Sequence, residues 1–210
     1  VEYNNKNTPD YVELPTGRTA VSISSGKEHS CAILDDRSVM CWGLGSSGQL
    51  GNGATAIQKN PVPVYVDLPT GRTAIMISAG YFHNCAVLDN ASTYCWGPDD
   101  KGQLGNGATT TGTQSSPVYA NITVGRTPVA ISPTASATHT CAILDNASMQ
   151  CWGYNNMGQL GDGGQGTSQF SPVFISGSYT WDNTTNLSSS ILRLLQNVPM
   201  SSLVPTFDAG

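Results

Sequence analysis

Charge is what this sequence has least of. Asp, Glu, Lys and Arg together make up 11% of its 210 residues, about half the share usual in globular proteins. Basic charge is scarcest: nine Lys and Arg stand scattered against fourteen Asp and Glu, for a formal net charge of −5. A surface of that sign with no basic cluster repels nucleic acid and anionic membranes, so neither is expected as a partner. No apolar run approaches the ~20 residues of a membrane span. No G-x-S-x-G, H-E-x-x-H or P-loop occurs, which removes the motif-bearing hydrolases, zinc proteases and nucleotide-binding enzymes. No cofactor is implied. A starting Met and a signal-peptide pattern are missing too, and Val1 reads as the first residue of a mature or cut chain.

What is abundant is punctuation. The chain has 23 Gly and 12 Pro, which suits short strands and many turns. The segments HSCAILDDRSVMCWG (29–43), HNCAVLDNASTYCWG (83–97) and HTCAILDNASMQCWG (139–153) repeat one frame. Trp42, Trp96 and Trp152 are 54 and 56 residues apart, and each is followed by Gly and then by GQLG, at 48–51, 102–105 and 158–161. YVELPTGRTAVSIS (11–24), YVDLPTGRTAIMIS (65–78) and YANITVGRTPVAIS (119–132) open the units. Self-similarity at such a period marks a repeat architecture. The organisation read from it is an N-terminal extension, 1–10, then repeats over 11–177. These run about 11–64, 65–118 and 119–172, with a fourth starting at 171–177 and departing from the pattern. A non-repeat extension, 178–210, follows. Its ILRLLQN stretch, after three serines and before Pro199, predicts a short helix near 189–197.

Within a unit, AIMIS, CAVL and TYCW are strand candidates, bounded by turn residues and too short for helices. No proline falls between paired cysteines, as strand pairing requires. If Cys31–Leu34 and Ser38–Cys41 pair around a three-residue loop, Cys31 lies directly opposite Cys41. Copies two and three give the same arithmetic. Directly opposed residues of a non-hydrogen-bonded pair have Cα atoms ~4.5 Å apart, within disulfide reach of ~4.4–6.8 Å. The reading is three cross-strand disulfides, Cys31–Cys41, Cys85–Cys95 and Cys141–Cys151. Reduced core cysteines are the alternative. Zinc is disfavoured because there is no C-x-x-C and each pair would need further ligands. Paired cysteines without an orphan place the protein in an oxidising, extracellular compartment.

These motifs (Gly26, His29, Ala32, Trp42-Gly43 and Gly48-Gln49-Leu50-Gly51, with their counterparts in copies two and three) resemble the repeat family named for the regulator of chromosome condensation. The resemblance covers residues ~11–177. It implies an all-β fold, a β-propeller with a four-stranded blade per repeat. The family's founder is a guanine-nucleotide exchange factor that binds chromatin; the cysteines and the acidic balance argue against that role here, and no exchange residues are carried over.

Candidate site residues recur with the repeat. His29, His83 and His139 precede the first cysteine of each pair by two. A base copied into every blade is expected to be structural, since one active site needs one base; a three-histidine metal site is the alternative. Trp42, Trp96 and Trp152 are expected to pack between blades, with sugar stacking as the alternative. Gln49, Gln103 and Gln159 are expected to bond backbone between blades. Asp35, Asp89 and Asp145 sit at hairpin turns, where Asp suits local backbone bonding. Asp99, Asp100 and Asp162 stand in Gly-bearing loops that lack the 12-residue calcium pattern. Sequons at Asn90, Asn121, Asn146, Asn183 and Asn186 are candidate carriers of N-linked glycans, Asn90 and Asn146 at equivalent hairpin tips.

Three blades are fewer than the four to eight of an ordinary ring. The expectation is a non-enzymatic extracellular structural glycoprotein that associates with copies of itself through blade edges and its C-terminal tail, as an oligomer or filament. The alternatives are an extracellular module recognising a protein or glycan through its loop face, and a guanine-nucleotide exchange regulator.

Overall fold

The computed structural model describes residue 8 and residues 10–55, 59–109, 112–132 and 135–176. The helix expected near 189–197, the tail, and the sequons Asn183 and Asn186 lie outside the described residues. The described chain is all-β. It forms three four-stranded antiparallel sheets, each built from consecutive strands. The first contains β1 (Ala20–Ser25), β2 (His29–Leu34), β3 (Val39–Gly43) and β4 (Asn60–Tyr65). The second contains β5 (Ala74–Ala79), β6 (Asn84–Leu88), β7 (Thr93–Pro98) and β8 (Thr113–Tyr119). The third contains β9 (Pro128–Ile131), β10 (His139–Leu144), β11 (Met149–Gly153) and β12 (Gln169–Phe174).

The register between second and third strands is the one the cysteine arithmetic demands: Cys31 pairs with Cys41, Cys85 with Cys95 and Cys141 with Cys151. All three pairs are disulfide-bonded, with Cα atoms 4.1 Å apart in each. The loops between them reuse one turn. Arg37 N–H donates to Leu34 C=O, and Arg37, Ala91 and Ala147 adopt φ of 64°, 67° and 63°. This is the three-residue hairpin with its last loop residue left-handed.

The sheets are phased differently from the sequence repeat. Ser171-Pro172-Val173-Phe174, read from the sequence as the opening of a fourth unit, lies in β12 and closes the third sheet. Pro61 and Pro63 of β4 and Pro117 of β8 lie in the corresponding strands. Each of these strands has one hydrogen-bonded neighbour, and an edge is where a sheet tolerates a residue without an N–H.

The cores lie between sheets rather than within them. One cluster joins Cys31, Ile33, Val39 and Cys41 of the first sheet, with Leu50 from its β3–β4 loop, to Ala74, Ile77, Ala86, Leu88 and Trp96 of the second. The other joins Cys85, Cys95 and Leu104 to Ala142, Leu144 and Trp152. Each sheet therefore has a front face, which carries its disulfide, and a back face, which carries its tryptophan. Alternation along each strand sends successive side chains to opposite faces.

Candidate interaction site: the seams between blades and their open ends

Each seam is built around one backbone carbonyl. Gln49 C=O accepts from the indole Nε1–H of Trp96 at 2.9 Å and from the amide of Asn84 at 2.8 Å, both from the following sheet. Gln103 C=O accepts from Trp152 Nε1–H at 2.9 Å and from the Thr140 hydroxyl at 3.2 Å. The histidine of the earlier sheet completes the chain: His29 Nε2 meets Asn84 Oδ1 at 2.9 Å, and His83 Nε2 meets Thr140 Oγ1 at 2.8 Å. An amide oxygen accepts only, so Nε2 of His29 carries the proton and donates. In the second seam the Thr140 hydroxyl gives its hydrogen to Gln103, so His83 donates too.

The sequence placed these residues between blades but gave glutamine the wrong group. The side-chain Oε1 of Gln49, Gln103 and Gln159 accepts from Ser47, Lys101 and Met157 N–H within its own loop. It is the backbone carbonyl that crosses the seam. The following glycine explains why. Gly51 and Gly105 sit at φ +67°, and an added Cβ would lie 2.8 Å and 2.7 Å from the next indole nitrogen. A side chain there would push the indole off the carbonyl.

Burial holds all three histidines neutral. It pushes His83 down to about 3, with smaller contributions from His29 and His139. His29 is lowered by burial, offset in part by its bond to Asn84, and His139 by burial. Among the described residues no three metal-capable side chains cluster.

The turn aspartates reach further than expected. Asp35 Oδ1 accepts from Thr19 N–H and Asp89 Oδ1 from Thr73 N–H, sixteen residues upstream. The arginine of each Gly-Arg-Thr pairs with the same carboxylates: Arg18 with Asp35, Arg72 with Asp89 and Arg126 with Asp145. The local turn bond falls to the next residue: Asp36, Asn90 and Asn146 each accept from the N–H two positions on. Asn90 and Asn121 are exposed and Asn146 is half-buried. Asp99 is a buried carboxylate at the position held by Asn155 in the third sheet. Its Oδ1 accepts from Leu104 N–H, as Asn155 Oδ1 does from Leu160. Its Oδ2 makes no hydrogen bond of ordinary geometry among the described residues, and burial pushes the group up to about 6, offset in part by the bond from Leu104 N–H and the nearby Asn106 side chain.

The two end faces break the pattern. At the front of the third sheet Ile143 is 40% exposed, whereas its counterpart Ile33 is 2% exposed. Ile143 lines a hollow with Ala130, Ala137, His139, Cys141 and Met149. No bond to His139 Nε2 or to Gln159 C=O occurs among the described residues. At the back of the first sheet Ile23 is 65% exposed, whereas Ile77 is 9%. Trp42 is half-buried, whereas Trp96 and Trp152 are sealed. Leu34 and Met40 of that face are buried, so its open part is the strip from Ile23 through Ser30 to Trp42.

Four-stranded sheets stacked face to face about repeated seams define the class: these are blades of a β-propeller. The chain is built of regulator of chromosome condensation (RCC1) repeats and belongs to that repeat family. One model of the repeat matches residues 38–87 and a second matches 20–49, 77–103 and 134–159. The ultraviolet-B receptor UVR8 of Arabidopsis thaliana is 31% identical over 155 residues, which are 73% of this chain and 34% of UVR8. The human E3 ubiquitin-protein ligase HERC2 is 30% identical over 157 residues, 74% of this chain and 3% of HERC2. The crystal structure of Prp20p from Saccharomyces cerevisiae superposes with a TM-score of 0.67 at 21% identity, over 78% of this chain and 40% of that one. The chain thus spans about a third of the length of one of these sequence relatives and a few per cent of the other.

Proposed function

We propose that this is a non-enzymatic extracellular assembly protein, a short stack of propeller blades that self-associates through its open ends. The observation that carries the reading is the pair of incomplete seams. The same residues that are sealed inside two seams stand half-open at both ends of the stack. Apolar strips of that kind on a soluble protein mark association surfaces. The three disulfides support an oxidising address, and the exposed sequons Asn90 and Asn121 leave room for glycans. The Prp20p structure is titled for binding Gsp1p and histones. A net charge of −5 attracts basic partners such as histones rather than repelling them, so charge does not separate that role from assembly in this chain.

The test is sedimentation velocity of the non-reduced protein, secreted from a eukaryotic host, across a wide concentration range. Species larger than one chain that grow with concentration are expected, together with loss of mass on N-glycosidase treatment. A single-chain species at every concentration would overturn the assembly reading.

A second reading, recognition of a partner through the loop face, has one observation behind it. Lys27 Nζ lies 4.6 Å over the Tyr81 ring and 5.4 Å from the Phe82 ring, and both rings are partly exposed. A glycan or peptide that protects these rings from quenching would favour it.

A further inference from the structure

The proposed association leaves open which end meets which. The interior seams answer this, because a seam is polar in its direction. Its front half supplies a carbonyl, a histidine donor and a serine acceptor. Its back half supplies an indole donor and a small polar side chain. In the first seam Gln49 C=O, His29 and the Ser24 hydroxyl face Trp96, Asn84 and the Ala79 N–H, the last bond at 2.9 Å.

The open front of the third blade presents the same set in the same frame: Gln159 C=O, His139 and Ser132. The open back of the first blade presents the complementary set: Trp42, Ser30 and the Ser25 N–H. Ser30 stands where Asn84 and Thr140 stand in the sealed seams, next after the histidine of its own blade. Its hydroxyl lies 3.1 Å from that of Ser25 and can accept as the Thr140 hydroxyl does. The apolar parts match as well. Ile143 and Met149 correspond to Ile33 and Val39, and Ile23 to Ile77, which meet in the first core. Gly161, at φ +64°, has Ile175 alone among the described residues within reach of an added Cβ, and no described indole lies over it as one does over Gly51 and Gly105.

Two fronts cannot satisfy each other in this way, because each would bring a carbonyl and a histidine donor with no indole for the carbonyl. Two backs would bring two indoles with no carbonyl. Resting on the association reading above, we infer that the third blade of one copy docks head-to-tail on the first blade of a second copy. The new seam has Trp42 Nε1–H donating to Gln159 C=O of the neighbouring copy, and His139 Nε2–H donating to Ser30 Oγ. A joint of this kind is heterologous, so it propagates until a ring closes or a filament ends. It also seals the Cys141–Cys151 bridge, whose Cys141 is partly exposed in the single chain.

The experiment uses two end-blocked variants of the full chain. Ile23→Glu puts a charge on the back strip, and Ile143→Glu puts one on the front hollow. Both positions are exposed enough for the fold to survive, and intact disulfides with cooperative melting would check that. Each variant alone is expected to sediment as one chain. An equimolar mixture is expected to form a two-chain species and nothing larger, because one good front and one good back remain. Trp42→Phe, which deletes the indole donor, is expected to weaken association roughly 5- to 20-fold. Head-to-tail docking is overturned if either blocked variant still associates as the unaltered chain does, or if the mixture stays single-chain. Failure of the association reading itself looks different: the unaltered chain is then single at all concentrations.

Discussion

The left-handed residues at the hairpin tips carry a cost that can be removed. Ala91 and Ala147 have φ of 67° and 63°, a conformation that disfavours a Cβ by ~1–2 kcal/mol. Glycine removes that penalty but frees the unfolded chain, which offsets ~0.4–1 kcal/mol. Ala91→Gly and Ala147→Gly are each expected to raise stability by about 0.5–1 kcal/mol, read from urea unfolding. Asp99 offers a second residue-scale prediction. Its folded pKa, about 6, lies above the ordinary value of 3.8. The native state therefore binds the proton more tightly than the unfolded chain does. The contribution of Asp99 to stability is fullest below about pH 4 and falls as pH rises toward 6. Asp99→Asn, which copies Asn155, is expected to gain roughly 1–2 kcal/mol at pH 7 and little at pH 4. An unchanged difference across that range would contradict the burial argument.

Some residues were legible in advance and others were not. Opposed cysteines follow from counting across a hairpin, so their pairing was readable. The link from Asp35 to Thr19 was not, because the two are sixteen positions apart and only the folded first strand brings them together. The seam position held by Ser30, Asn84 and Thr140 also escaped, since its residue type changes in every copy. Its signal was weak: each is a side chain able to accept a hydrogen bond, directly after the repeated histidine.

At the scale of elements, the blade faces decide what a substitution costs. Gly105→Ala must displace the Trp152 indole, whereas Gly161→Ala at nearly the same φ meets, among the described residues, an isoleucine side chain alone. Both incur the left-handed penalty, so their difference isolates the seam. Gly105→Ala is expected to cost about 1–3 kcal/mol more, the order of a buried hydrogen bond lost with its packing. Equal costs would mean that the indole is not fixed by the seam. The histidines set the acid side. His83, pushed down to about 3, stays neutral in the fold while the unfolded chain takes up a proton below about pH 6.5. The contribution of His83 is fully present above that value and is lost as pH falls toward 3, by up to ~1.4 kcal/mol per unit. His83→Gln keeps a donor for Thr140 and is expected to flatten this slope. The strands themselves were readable, AIMIS, CAVL and TYCW falling within β5, β6 and β7. Their phase was half legible: the Ser-Pro-Val segment reads both as the close of one unit and as the opening of the next, and proline's missing N–H suits the edge strand that closes a blade.

At the scale of the whole molecule, the surface that stabilises the stack is the one proposed to associate. The first and second sheets bury their disulfide faces against the tryptophan face of the next, and among the described residues the disulfide face of the third and the tryptophan face of the first have no such cover. The repeat family was legible because the entire motif recurs in tandem. The proposed direction of association was not, because it depends on which carbonyls and indoles have no partner among the described residues after folding. The most direct measurement is hydrogen exchange at the indole N–H groups, followed in nitrogen-15 spectra as a function of protein concentration. Trp42 is assigned with Trp42→Phe. Trp96 and Trp152 are expected to be protected at every concentration, and Trp42 to exchange freely in dilute protein and become protected as larger species form. A Trp42 indole that stays freely exchanging while the mass grows would contradict the account, because the joint would then lie somewhere other than the open seam.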